Sequence, residues 1–300
     1  MALFDFFVTI ALSASIFALF ALGLNLKWGF AGLLDFGHVA FLALGAYTTV
    51  LLSLNGVPLI LSIIAGMFLA ALAGALLGFP ALRLREDYLA IVTLSFAQIL
   101  NLVLKNEEWL TRGTLGIHGF SRPLDNLIPA TEYDYFLLGL VITIIIIVFL
   151  ILKILVESPW GRVLKSIRED ELVSSALGKN VFSYKIQALA LGSAIAALAG
   201  SLWAFRIQYI IPRAFGPMLT FFAWTAIVLG GSSDNRGTLI GAFLLWGFLR
   251  NGTRFLTDYI PFESTQMGAM RLMIIGILLI ILMRFKPEGL VGKKEELSIG

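Results

Sequence analysis

The sequence predicts an all-α polytopic membrane protein with about eight to ten transmembrane helices. Two observations carry that prediction. Fifty-nine per cent of the residues are hydrophobic and 14 per cent charged, where soluble domains sit nearer half apolar and a quarter charged. The apolar residues also come in long runs rather than at amphipathic spacing, which marks spans and not a soluble core. Mean hydropathy is +0.92, in the same direction. The chain has no cysteine and two histidines. Disulfides, thiolate chemistry and cysteine-ligated metal are thereby excluded, and a histidine-rich metal site is not expected.

A helix needs about 20 apolar residues to cross a bilayer core. Phe6–Leu26 carries no charge and fits. The opening MALFDFF lacks a basic stretch, so this first span is expected to be retained, not cleaved as a signal. Trp28–Leu54 is long enough but is interrupted by Asp35 and His38, so it reads as a crossing, a broken helix or a re-entrant pair. Val57–Leu82 is uncharged, and Tyr88–Leu104 is shorter, with Gln98 and Asn101 inside. Phe136–Leu152 is the most strongly apolar, and Ile186–Phe205 is rich in Ala and Gly. Ala214–Ser233 contains Pro217, Gly237 to about Leu256 carries Arg250 and Arg254, and Met267–Met283 carries Arg271.

Orientation follows from the placement of positive charge. With 157–185 taken as cytoplasmic, thirteen of the 22 basic residues fall on that side, Lys27, Arg83 and Arg85 among them, and seven fall on the other. The C-terminal tail 284–300 is then inside, and the N-terminus is outside if the second segment crosses fully. The longest non-helical stretch, 105–135, contains RGTLGIHGF and SRPLDNLIP. This is turn chemistry, consistent with a small external cap or a plain connector.

Small residues recur at four-residue spacing: Gly74 and Gly78, Gly237 and Gly241, and Gly192, Ala196 and Gly200. Such spacing lets helix backbones approach closely in a membrane. It serves packing within the chain or a face for a partner permease.

Two readings of Asp35 stand side by side. Asp is a good helix N-cap, and Gly32 and Gly37 flank a possible break. Ionisable groups and broken helices also recur at transporter sites. On that second reading Asp35, Gly37 and His38 line a pathway, with Thr93 and Gln98 as further candidates.

No GxxxxGK[ST] phosphate loop occurs, so the chain is not expected to hydrolyse ATP. HExxH and GxSxG are absent too, as is an arginine ladder of the voltage-sensing kind. A membrane enzyme therefore lacks a visible constellation. A stand-alone secondary transporter lacks the mid-membrane carboxylates that proton coupling would use.

The most distinctive stretch is the polar island Glu157–Lys185, ESPWGRVLKSIREDELVSSALGKNVFSYK. Pro159 is placed to begin a helix after Ser158, and Gly178 to end that helix. Leu164, Ile167, Leu172 and Leu177 are interleaved with charge, and Arg168 to Glu171 form a charged face. The pattern predicts a short helix–turn–helix under the membrane, either a docking surface or a solvated interfacial loop.

SPWGRVLKSIREDELVSSALGKNVFSYK resembles the cytoplasmic loop of LivM-type permeases, subunits of branched-chain amino acid ABC importers. LNLKWGFAGLLDFGHVAFLALGAYTTVLL, FPALRLREDYLAIVTLSFAQIL, IVLGGSSDNRGTLIGAFLL and LMRFKPEGLVG resemble further segments of that family, in the same order. The resemblance implies the transmembrane domain of the second importer type, in a bacterial plasma (inner) membrane. It implies a LivH-like second permease, two ATPase subunits that hydrolyse the ATP, and an extracytoplasmic solute-binding protein. Neutral and branched-chain amino acids are the implied substrates, with urea or short amides as the alternative. The chain itself needs no cofactor, meets lipid, and has no nucleic-acid partner. In such importers the loop holds a coupling helix that docks on the ATPase. Arg162, Arg168, Glu169, Asp170, Glu171, Leu177 and Gly178 are the residues this places at that interface. Val173-Ser174-Ser175-Ala176 departs from the family's usual pair of alanines, and GGSSDN from its usual GGxGS turn.

Overall fold

A computed structural model describes residues 2–82, 86–125, 127–129, 132–252, 264–286 and 288–291. Arg83, Arg85, Arg254 and most of the 284–300 tail lie outside the described residues. The chain is helical along nearly all of the rest. Helix α1 (Ala2–Asn25) runs on through a π-helical turn, Leu26–Phe30. It is followed by α2 (His38–Leu54), α3 (Leu59–Ala81), α4 (Glu86–Asn106) and the short α5 (Glu108–Thr111). The second half holds α6 (Tyr133–Glu157), α7 (Pro159–Glu169), α8 (Glu171–Ala176), α9 (Val181–Ile207) and α10 (Met218–Gly230). Then come α11 (Asn235–Ala242), a π-helical continuation Phe243–Gly252, and α12 (Ser264–Phe285).

Among the described residues six helices are long and apolar enough to cross a membrane, Phe4–Phe30, Leu59–Ala81, Tyr88–Asn106, Tyr133–Glu157, Val181–Ile207 and Pro212–Gly230. The shorter apolar His38–Leu54 and Leu272–Phe285, with the composite Asn235–Gly252, occupy the remaining expected spans. The interrupted second segment resolves as a broken helix. The end of α1 absorbs Trp28–Phe30, residues 31–37 are irregular, and α2 starts afresh at His38.

The α1 and α9 spans form the centre, 78% and 67% buried, against 22% for α3 and α4 and 28% for α6. Small residues explain why α9 can be central. Its Gly192 faces Gly23 of α1, its Gly200 faces Leu42 of α2, and its Ser193 faces Gly74 of α3. At Gly45 the α2 backbone lies so near α9 that an added Cβ would sit 2.1 Å from the Ala197 carbonyl oxygen. Van der Waals packing of this kind replaces the hydrophobic drive that lipid removes. The Gly192–Ala196–Gly200 face is thus spent on packing within the chain, not on a partner. The Gly237 and Gly241 pair likewise meets α10, at Gly230 and Ala226.

These facing pairs also set direction. Gly23 lies opposite Gly192 while Arg206 bonds the Thr9 carbonyl, so α1 runs opposite to α9. Gly74 and Gly78 lie opposite Ser193 and Leu189, so α3 does too, and Gly45 opposite Gly66 turns α2 back against α3. One end of the bundle therefore gathers the 157–180 loop, the α10–α11 turn and residues 288–291, whose Leu290 and Val291 amides bond the Leu229 and Gly230 carbonyls. The other end carries a cap. There Ile117 pairs with Ile210 and His118 with Tyr209 in a two-stranded antiparallel ribbon. Asn101 of α4 donates to the Pro212 carbonyl at 2.7 Å, and Tyr133 donates to that of Pro123 at 3.1 Å.

Candidate functional site

The π-helical turn at the end of α1 brings Lys27 into the bundle. Its ammonium lies 2.7 Å from Asp35 Oδ2, with both side chains fully buried, and 4.0 Å above the Phe41 ring. The pair sits level with Gly192 of α9, where an added Cβ would meet Lys27 Cγ at 2.6 Å. That is about 16 Å up a helix about 40 Å long. Ion pairs at such depth are expensive unless closely matched.

Asp35 also organises the break. Its Oδ1 accepts the Gly37 amide at 2.9 Å, and its carbonyl accepts the Trp224 indole of α10 at 3.2 Å. The Phe36 amide donates to Thr93 Oγ1 of α4 at 3.1 Å. The Val39 amide donates to Thr220 Oγ1 of α10 at 3.0 Å. His38 Nε2 lies 3.1 Å from the Phe20 carbonyl, an acceptor, so Nε2 carries the proton. Its Nδ1 is 3.6 Å from Asp35 Oδ2, beyond hydrogen-bond length, and has no hydrogen-bond partner.

Asp35, Gly37, His38 and Thr93 are therefore together, as the pathway reading required, but all four are buried. They form a clamp that ties α1, α2, α4 and α10 at one depth. Gln98 does not join them; it lies on the exposed face of α4. The N-cap expectation for Asp35 shifts as well. Gly37 holds the cap position, and Asp35 holds Gly37. Lys27, expected at the cytoplasmic surface, is the partner that sequence reasoning missed. A lone Lys near a span end normally snorkels outward; here the buried Asp35 carboxylate is the acceptor that holds it inside.

The polar loop starts as expected. Ser158 caps α7, accepting the Gly161 amide, with Pro159 at the first turn. It does not then run as one helix to Gly178. Asp170 adopts an extended conformation, φ −154 and ψ 109, and caps α8 by accepting the Val173 amide at 2.9 Å. The charged run Arg168–Glu171 straddles that break and is no continuous face. Asp170 before Glu171 was the available signal, an N-cap followed by an acidic first turn. Gly178 closes α8 at φ +76, where L side chains are strained.

The loop divides into tethers and free surface. Glu171 pairs with Lys185 at 2.5 Å. Ser166 and Ser174 share a hydrogen bond of 2.6 Å between α7 and α8. Arg168 turns inward and donates to the Gly29 carbonyl at 2.5 Å and to Ser233 Oγ; it does not face outward as expected. Exposed on the outside are Arg162, Glu169, Asp170, Gly178, Leu172 at 82%, Val173 at 55% and Leu177 at 72%. Leu172 and Val173 are additions to the expected surface. Their signal in the sequence was an apolar pair on a helix too short to bury it.

A family model described as "Branched-chain amino acid transport system / permease component" matches residues 6–283. The high-affinity branched-chain amino acid transport system permease protein LivM of Escherichia coli (strain K12) is 32% identical over 95% of this chain and 69% of its own length. The probable branched-chain amino acid transport permease protein LivM of Methanocaldococcus jannaschii is 28% identical over 97% of this chain and 94% of its own. The high-affinity branched-chain amino acid transport system permease protein LivH of Escherichia coli (strain K12) is 24% identical over 94% and 92%. No solved structure matches the chain. With a packed, multi-pass helical bundle matched along nearly all its length, the chain belongs to the family of permease components of branched-chain amino acid transport systems.

Proposed function

We propose that the chain is the permease subunit of an ATP-driven importer for branched-chain or other neutral amino acids, and that α8 is where a cytoplasmic ATPase docks. The observation that carries this is the apolar triad Leu172, Val173 and Leu177, exposed on a capped, tethered helix outside the bundle. Apolar side chains held out by a rigid loop suit a groove on a soluble partner. Glu169 and Asp170 beside them supply the polar rim. ATP would be hydrolysed by that partner. The loop end faces the cytoplasm on this reading, in keeping with Arg162, Lys165, Lys179, Arg236, Arg284 and Lys286 gathered there. The cap faces outward, toward a solute-binding protein.

A second, LivH-like permease completes the membrane portion. Gln98 supports this. It lies mid-helix on the exposed face of α4, beside Ile91, Ile99 and Leu102, with Ser95 one turn before it. An amide in hydrocarbon lacks partners, and a facing permease provides them and places Gln98 at the shared pathway. The test is co-purification with the ATPase subunits and uptake into proteoliposomes. The double variant Leu172→Asp, Leu177→Asp is expected to lose both while the permease pair stays in the membrane. Retained ATPase binding refutes the docking assignment. Competition of uptake by leucine, alanine, proline and urea decides the substrate class.

A further inference from the structure

We propose that Arg168 is the residue through which movement of the loop reaches the buried Lys27–Asp35 clamp, and not one that meets the ATPase. The inference rests on the docking reading above and deepens it. Arg168 is the penultimate residue of α7, next but one to the Asp170 that starts α8. Its guanidinium gathers two turns. One is the π-helical turn, through the Gly29 carbonyl, and the other is the α10–α11 turn, through Ser233 Oγ. Ser233 in turn donates to that same carbonyl. Its amide bonds Asn25 Oδ1 at 3.3 Å, and its φ of +65 is one that a serine adopts only when its surroundings hold it there.

Gly29 stands two residues from Lys27 within one π-turn, the local helix type that frequently marks functional sites. From Lys27 the bonded line runs to Asp35, and from residues 35–39 to Thr93 of α4 and to Trp224 and Thr220 of α10. Ser166–Ser174 fixes α8 to α7, the helix that carries Arg168, while Glu171–Lys185 is a second tie, from α8 to α9. A displacement of α8 therefore arrives at Arg168. There it either breaks a charge-assisted bond or pulls the π-turn and the clamp with it. Arginine suits the task, since its planar fork holds two acceptors in fixed geometry where a lysine offers a point charge.

The experiment uses the assembled importer in proteoliposomes, with Arg168→Ala, Arg168→Lys and Ser233→Ala beside the docking variant. Monodispersity and the thermal midpoint establish folding, and if Arg168→Ala misfolds, Arg168→Lys and Ser233→Ala decide. The expected result is that Arg168→Ala keeps the ATPase bound but loses at least tenfold in amino acid taken up per ATP hydrolysed. Arg168→Lys recovers part of that loss, and Ser233→Ala falls between. Adding Asp35→Asn to Arg168→Ala brings no further loss, because both cut the same line. Unchanged uptake per ATP in Arg168→Ala or Ser233→Ala overturns the proposal. So does loss of the bound ATPase from Arg168→Ala, which would make Arg168 a docking residue after all. In either case the docking reading stands if the Leu172, Leu177 variant behaves as expected, and if that variant still binds ATPase both fall.

Discussion

Asp35→Ala leaves Lys27 with its ammonium at zero exposure, over the Phe41 ring and without its carboxylate partner. Removing one member of a buried ion pair costs about 3–5 kcal/mol. The Gly37 amide also loses its acceptor, a further ~1–3 kcal/mol for an orphaned buried donor. The sum approaches a typical total folding stability of about 5–15 kcal/mol, so Asp35→Ala is expected to accumulate poorly. Asp35→Asn is the informative variant. It keeps an oxygen for Gly37 and confines the loss to about 3–5 kcal/mol, roughly two to four powers of ten in the folded-to-unfolded ratio. The double variant Lys27→Met, Asp35→Asn removes both charges at nearly constant volume and is expected within about 1 kcal/mol of the parent, or above it. Tryptophan fluorescence of the detergent-solubilised chain reports the unfolding. Trp28 and Trp224 lie 4.2 Å apart beside the site and sense its loss directly. A double variant as unstable as Asp35→Asn alone refutes the reasoning, since the harm would then not come from an unpaired buried charge.

Two further outcomes test the packing and the loop. Gly45→Leu drives a side chain into the Ala197 backbone and is expected to destabilise by about 1–3 kcal/mol or more, whereas Gly139→Ala, with nothing within 4 Å, is expected to stabilise by up to about 1 kcal/mol; the thermal midpoints order them. Asp170→Ala removes the cap of α8, about 0.5–2 kcal/mol of local helix stability, and protease cleavage within 170–178 should rise while the thermal midpoint of the bundle stays put.

Much of the architecture was legible because the bilayer imposes a simple rule. Any stretch of sufficient apolar length becomes a span, so Val57–Leu82, Phe136–Leu152 and Ile186–Phe205 fall within a few residues of α3, α6 and α9. Caps are equally local. Ser158 with Pro159, and Gly178, do what their own chemistry prescribes. Asp170 was misjudged for a related reason. Inside a charged run its cap signal competes with its contribution to a polar face, and residue spacing does not distinguish the two.

Side-chain direction at the site was not legible. Lys27 and Arg168 are basic residues near span ends, where snorkelling to water is the ordinary outcome. Both turn inward because acceptors arrive from elsewhere. Asp35 comes from a break eight residues on, the Gly29 carbonyl is freed by a π-turn, and Ser233 lies 65 positions away in sequence. The polarity of Gln98 likewise suggested the interior until its place on α4 put it outside.

By itself, then, the sequence determined a multi-pass helical bundle, its family and a wet loop with defined ends. The bundle and the loop follow from composition, run length and short-range capping, which act within a few residues, and the family from the resemblance of five segments in order. The tertiary structure alone decided that α9 is the hub, that Lys27 and Asp35 lock the bundle at mid-depth, and that Arg168 ties the loop to that lock while Leu172, Val173 and Leu177 stay free. Those outcomes depend on which helix faces which across tens or hundreds of residues, and on small residues letting backbones close to contact, relations that no local pattern encodes.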